Sequence, residues 1–174
     1  LDNGNWELTT SEGTVLEAPV IVIAAGGGSF VPKKPTLQGL DQYEGTSVFY
    51  AVRKMEQFRG KKILIAGGGD SALDWALNLQ PIAAEVALIH RRDDFRAAPD
   101  SVNKMRELVA AGKMKLHIAD IKGLQGEGAR LSGVQANSKT DGDFVIPCDT
   151  LLAFYGLTMK LGPIANFGLN LHEN

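Results

Sequence analysis

Cysteine is almost absent: Cys148 is the only one in 174 residues. One thiol excludes an internal disulfide framework, a CxxC redox pair and any multi-cysteine metal centre. Long apolar runs are missing too. The longest, Val20 to Ala25, falls far short of the roughly 20 residues that a membrane-spanning helix needs, and no charged-then-apolar leader opens the sequence. Basic charge is not in excess. With 18 Lys+Arg against 20 Asp+Glu the formal net charge is -2, which argues against nucleic acid as a partner, because neutralising phosphates takes a clustered basic surface. A cytoplasmic setting, with no membrane and no nucleic acid, is the expectation.

What is present is the composition of a globular protein, 44% hydrophobic and 22% charged. The length suits one domain, or one domain with a fragment of another attached. The chain opens at Leu1 without a methionine and stops at Asn174 just after Gly-Leu-Asn-Leu, as expected of a piece of a larger protein.

Trp6 to Thr10 alternates large and polar residues, Ser11 to Gly13 is a polar turn, and Val15 to Ala18 follows, which predicts a hairpin. Val20 to Ala25 reads as a strand buried on both faces, ending in Gly26-Gly27-Gly28. Pro32, Pro35 and the polar stretch to Gly45 disfavour helix and form the candidate linker between two domains. Lys62 to Ala66 is a second buried strand; Gly67-Gly68-Gly69 follows, then a helical pattern from Ser71 to Gln80 with Pro81 just beyond. Glu85 to His90 supplies the next strand, parallel to the last because the crossover is long. A helix over Ser101 to Ala111 stops at Gly112, and a strand follows at Met114 to Ile118. Segments at Ile121 to Leu124, Arg130 to Ala136 and Phe144 to Ile146 form an antiparallel meander, and Leu151 to Phe154 is the last strand expected.

Gly67-x-Gly69-x-x-Ala72 matches the dinucleotide fingerprint in its variant with alanine last. The first glycine makes the tight turn, the second lets the backbone approach a pyrophosphate, and the small third residue lets helix pack on strand. Phosphates would meet free N–H groups at the positive end of the helix dipole. A lone match is weak, but here strand, helix and second strand all fall where the fingerprint requires them. Gly26-Gly27-Gly28 is a useful control: prolines rather than a helical pattern follow it, so it reads as a strand end at a domain edge.

Where NAD-binding versions carry an acid at the end of the second strand, this sequence has His90-Arg91-Arg92, with Arg96 a few residues on. An acid would repel a 2′-phosphate, whereas arginine offers a planar fork of donors that grips phosphate bidentately. The unit Lys61 to Arg96 is therefore expected to hold NADP(H) rather than NAD(H). The plainer alternative, a solvated charge run with Asp93 and Asp94 inside it, is disfavoured by its place directly after the strand.

At these residues the sequence resembles the two-domain flavoprotein pyridine nucleotide-disulfide oxidoreductases, and within them the thioredoxin reductase-like ferredoxin/flavodoxin NADP reductases. The stretches that carry the resemblance are Val20 to Gly26, Val48 to Val52, Phe58 to Lys62, Gly67 to Leu79 and His90 to Ala97. The resemblance implies that Gly67, Gly68, Gly69, Asp70, Ser71 and Ala72 hold the pyrophosphate and that His90, Arg91, Arg92 and Arg96 hold the 2′-phosphate. It implies an α/β fold: a Rossmann-like parallel sheet with helices and an antiparallel meander, plus part of a FAD domain. Residues 1–42 would be a partial FAD-domain segment and linker, 43–154 the NADP(H)-binding domain, and 155–174 the return toward the FAD domain. In the intact enzyme it implies FAD as a second cofactor and ferredoxin or flavodoxin as partner, and it is compatible with a homodimer. The family's N-terminal glycine motif and C-terminal Gly-Asp motif for FAD are absent from this sequence. Thioredoxin reductases place a CxxC shortly before the glycine turn; here Tyr50-Ala51-Val52-Arg53 occupies that place, so direct disulfide reduction is not expected. Rival readings are another flavoprotein with a different acceptor and a non-enzymatic NADPH-binding module.

No residue is assigned a catalytic or metal-binding role. His117 has no Ser or Cys partner, Cys148 reads as a packed thiol, adjacent Asp93 and Asp94 point apart, and Trp75 reads as packing. Lys54, Arg59, Lys61 and Lys62 could form a docking surface for an acidic ferredoxin, although a solvated strand approach explains them as well.

Overall fold

The computed structural model describes residues 2, 4–24, 26, 28–168 and 170. The chain divides into two compact units, Val31–Thr158 and a smaller one formed by Leu1–Phe30 with Met159–Asn174.

In the smaller unit β1 (Trp6–Thr9) and β2 (Val15–Ala18) pair antiparallel, Trp6 opposite Ala18 and Thr9 opposite Val15, which is the expected hairpin. The strand expected over Val20 to Ala25 is not formed at Val20–Ile23, and Ala25 lies outside the described residues. Val20 is 70% exposed and Val22 83%. A β-branched run becomes a buried strand only if neighbouring strands satisfy its backbone and cover its faces. Among the described residues none lies beside this one. Gly27 also lies outside the described residues. At Gly28 φ is +80°, and a Cβ there would stand 2.1 Å from the Lys160 carbonyl oxygen, so only glycine fits. Two further strands, β3 (Ser29–Pro32) and β12 (Leu157–Lys160), pair with each other and were not legible as strands; β12 lies beyond the last strand expected.

The larger unit is built on a parallel sheet of five strands in the order β4 (Val48–Phe49), β11 (Thr150–Ala153), β5 (Lys62–Ala66), β6 (Glu85–His90) and β7 (Lys115–Ile118). Helices α1 (Asp70–Leu79) and α2 (Pro99–Ala110) match the predicted pair to within two residues. Side chains alternate across the sheet. Ile63, Ile65, Val86, Leu88 and Leu152 face the helices and pack on Ala72, Leu73, Ala76 and Leu79 of α1 and Met105 of α2. Leu64, Ala66, Ala87, Ile89 and Leu151 face the other way. They are covered by the meander β8 (Asp120–Glu127), β9 (Arg130–Ser138) and β10 (Gly142–Pro147), through Leu131, Val134, Ala136 and Ile146. The sheet is thus sandwiched, which is why its strands are apolar at successive positions rather than at alternate ones. The meander strands run longer than their apolar cores suggested, because exposed positions alternate with buried ones to the ends of β9.

Cys148 is buried in the meander-side core, and burial pushes its thiol up to about 12, so it is a packed hydrophobe and not a nucleophile. His117 on β7 packs its ring 5.7 Å from that of Phe144, and its Nε2 is buried without a hydrogen-bond partner among the described residues. Burial first, and Lys115 second, hold its pKa below the ordinary 6.5, with Glu85 acting weakly the other way. The unfolded chain therefore takes up the proton first as pH falls. The stability contributed by the neutral ring is complete above pH 6.5 and is lost on acidification through the depressed folded-state value. His117→Phe is expected to lessen the fall in thermal midpoint between about pH 7 and 5.5; an unchanged fall would assign the acid sensitivity to other groups.

Candidate functional site

The order of strands places the site. β5 leads through α1 to β6 on one side, while β11 returns on the other, so the carboxyl ends of β5 and β11 form the switch point where ligands of open α/β sheets bind. The glycine turn lies there. Gly67 donates its N–H to the Ile89 carbonyl at 3.1 Å and has φ +151°; a Cβ on it would stand 2.7 Å from the Phe154 carbonyl oxygen and 2.9 Å from Cβ of Ala72. The closeness of Gly67 to Ala72 is the reason a small residue closes the fingerprint. A Cβ on Gly68 would stand 2.5 to 2.7 Å from three atoms of the His90 ring. A Cβ on Gly69 would meet nothing within 4 Å. Gly69 is extended at the N-cap of α1 and makes no side-chain cap bond. The N–H groups of Gly69, Asp70 and Ser71 donate to no acceptor among the described residues, while those of Ala72 and Leu73 turn back to the Gly69 carbonyl. Free donors, a positive helix end and open space over Gly69 together fit a pyrophosphate.

The basic segment is tied to this turn. Arg96 donates its backbone N–H to the Gly68 carbonyl at 2.8 Å, and Ala98 donates its own to Asp70 Oδ1 at 2.8 Å. Asp93 pairs with Arg106 at 2.8 Å, while Asp94 touches His90 through its backbone. The Arg106 guanidinium also stands 5.8 Å from the Phe95 ring centre. Arg91, Arg92 and Arg96 are exposed, and no carboxylate among the described residues lies within ion-pair reach of them. Three guanidinium groups with no carboxylate partner among the described residues, on a segment bonded to the glycine turn, could hold a 2′-phosphate.

His90 sits differently from the arginines. Its ring covers Gly68 and leans on Phe95, 5.3 Å between centres. Burial, as the largest influence, holds its pKa below 6.5; the Asp94 backbone opposes this, and Arg91 and Arg92 add to it. The resemblance puts His90 with the arginines on the 2′-phosphate; the sequence has no signal that its ring packs against the turn.

Tyr50 donates its hydroxyl to Glu44, which also pairs with Lys34 at 2.7 Å. Burial and Glu44 push the phenol well above its ordinary value, so Tyr50 stays protonated. Of the four basic residues weighed as a docking surface, Arg59 is engaged by Glu56 at 2.7 Å. Among the described residues no helix is long and apolar enough to cross a membrane, and no cluster of three metal-capable side chains occurs.

Strand, glycine turn, helix and switch point together define a dinucleotide-binding α/β domain. The chain belongs to the pyridine nucleotide-disulphide oxidoreductase family, whose model matches residues 2–174. It is 61% identical over its whole length to a ferredoxin–NADP reductase of Parvibaculum lavamentivorans, of which it covers 51%. It is 59% identical over 170 residues to one from Beijerinckia indica, covering 98% of this chain and 49% of that protein. The chain thus spans about half the length of the curated relatives it matches. Its fold is similar to that of Lactococcus lactis thioredoxin reductase, with a TM-score of 0.78 at 24% identity over 94% of this chain and 53% of that one. The bacillithiol disulfide reductase of Staphylococcus aureus gives a TM-score of 0.76 at 20% identity, over 99% of this chain and 51% of that one.

Proposed function

We propose that this chain is the NADP(H)-binding part of an NADPH-dependent flavoprotein reductase of the ferredoxin–NADP reductase type. The observation that carries the reading is the set of arginines without a carboxylate partner among the described residues, Arg91, Arg92 and Arg96, tied through the Arg96 N–H to the carbonyl of the glycine turn. The N–H groups of Gly69, Asp70 and Ser71 would hold the pyrophosphate, with Gly67, Gly68 and Ala72 shaping the turn, and the arginines would hold the 2′-phosphate. When bound, the nicotinamide supplies the hydride chemistry, and these residues bind and orient the nucleotide.

In this reading residues 43–154 form the NADP(H) domain, and 1–42 and 155–174 belong with a FAD domain. The described residues offer no second glycine turn opening into a helix: Gly26 and Gly28 lead into β3. They do not make a cradle for FAD, which other residues of the full-length protein would hold. Relatives named ferredoxin–NADP reductase support ferredoxin as the partner. Flavodoxin as a second acceptor, a homodimer and a cytoplasmic setting complete the proposal for the intact protein.

Calorimetric titration of this chain with NADPH and NADH at fixed salt tests the reading. A clear preference for NADPH is expected; equal or absent binding of the two overturns it. Flavin content of the full-length protein separates a reductase, which is yellow, from a colourless NADPH-binding module.

A further inference from the structure

Asp70 suits its own helix but stands where an anion is proposed to bind. It is the first residue of α1, at the helix end that offers free N–H groups and a positive dipole to an incoming pyrophosphate, and a carboxylate there repels that anion. Its Oδ1 is committed sideways, accepting the Ala98 N–H at 2.8 Å where α2 begins. That helix needs help. Ala98, its N-cap, has no side-chain acceptor, and Pro99 in its first turn has no N–H to offer. Asp70 thus supplies, from another element, the negative charge that a helix N-terminus favours.

The consequence falls on the loop between β6 and α2. Gly68 and Asp70 on one side receive Arg96 and Ala98 on the other: the Gly68 carbonyl takes the Arg96 N–H, and Asp70 Oδ1 takes the Ala98 N–H, each at 2.8 Å. Two bonds at matched two-residue spacing fix the end of the loop to the glycine turn. Its middle is fixed separately, by the Asp93–Arg106 pair and by Phe95 between His90 and Arg106. A second bridge, Ser101 Oγ to Asp74 Oδ1 at 3.3 Å, joins the same two helices one turn further on.

We propose that Asp70 is a positioning residue whose bond to Ala98 holds the arginine loop in register with the glycine turn, so that selectivity for the 2′-phosphate depends on it. The proposal rests on the nucleotide reading above. The amide oxygen of asparagine can still accept the Ala98 N–H, whereas alanine cannot, so Asp70→Asn and Asp70→Ala separate positioning from charge. Titrated calorimetrically, Asp70→Ala is expected to lose roughly tenfold of its preference for NADPH over NADH, because the relief of repulsion acts on the pyrophosphate that both carry. Asp70→Asn is expected to keep the preference within about twofold. Amide hydrogen exchange at 91–98 is expected to quicken in the alanine variant alone. If both variants bind both nucleotides more tightly by the same factor, Asp70 acts only through repulsion and the proposal is overturned; a preference that survives Asp70→Ala overturns it as well. A wild-type chain with no preference overturns the nucleotide reading and this proposal together. Should Asp70→Ala fail to fold, Asp70→Glu keeps the charge but moves the acceptor: lost selectivity supports positioning, and retained selectivity overturns it.

Discussion

NADPH binding by the Arg91→Ala/Arg92→Ala variant is expected to weaken by roughly a hundredfold or more, while NADH binding changes by less than about threefold. Each hydrogen bond between guanidinium and phosphate contributes about 1.5–3 kcal/mol, and every 1.4 kcal/mol is about a factor of ten, so two lost arginines account for the magnitude. The asymmetry between nucleotides is the more telling part. NADH carries the same pyrophosphate but nothing at the 2′ position, so the glycine turn serves both and the arginines serve one. Neither arginine has a carboxylate partner among the described residues: Asp93, the acid nearest in sequence, is taken by Arg106. Both are exposed, so the preference is also expected to shrink as salt rises, because the Debye length falls from about 10 Å at 0.1 M to about 3 Å at 1 M. Calorimetry at two salt concentrations reads both effects. Equal losses for NADPH and NADH would mean that the segment merely supports the turn and reads no phosphate.

How legible this was depended on how local each feature is. From Lys61 to Arg96 the strand, turn, helix and second strand were readable because each is set by neighbours within a few residues: an apolar run, three glycines, helical spacing of Ala72, Leu73, Ala76 and Leu77, and Pro81 beyond the end. The expected hairpin, meander and α2 follow from the same kind of signal. Features that depend on distant partners were missed or misjudged. Val20 to Ile23 has the pattern of a buried strand, yet remains unpaired and exposed among the described residues, since periodicity reports what a segment could bury and not whether anything lies beside it. β4, β3 and β12 were invisible for the converse reason. They are two to four residues long and are strands only because β11, or each other, supplies the hydrogen bonds. Within the candidate site, the resemblance assigned His90 to the 2′-phosphate and Asp70 to the pyrophosphate, and what their side chains touch was not readable. That the His90 ring packs on Gly68, and that Asp70 turns toward α2, are three-dimensional facts without a sequence signature.

The three glycines of the turn are expected to fail in three different ways when substituted, although in sequence they are identical neighbours. Gly67→Ala places a methyl 2.7 Å from a backbone carbonyl oxygen and 2.9 Å from Cβ of Ala72, at a φ of +151° that a side chain rarely adopts. Backbone cannot swing away, so the fold bears the cost, about 3 kcal/mol, or roughly 6–12 °C in thermal midpoint for a chain of this size. Gly68→Ala meets the His90 ring, a side chain that can shift, so a smaller loss of stability is expected, together with displacement of the ring toward Phe95. Gly69→Val is the opposite case. Its φ of -102° suits any residue and its Cβ meets nothing, so the thermal midpoint is expected to move by less than about 2 °C. The space that side chain fills is, however, the space through which a pyrophosphate must reach the N–H groups of Asp70 and Ser71, and NADPH and NADH are both expected to bind at least tenfold more weakly. Thermal denaturation and calorimetry on the three variants read stability and binding separately. Normal binding by a well-folded Gly69→Val chain would place the phosphates somewhere other than over this turn, whereas loss of both nucleotides there, set against loss of NADPH alone in the arginine variant, would assign the pyrophosphate and the 2′-phosphate to their two separate sets of donors.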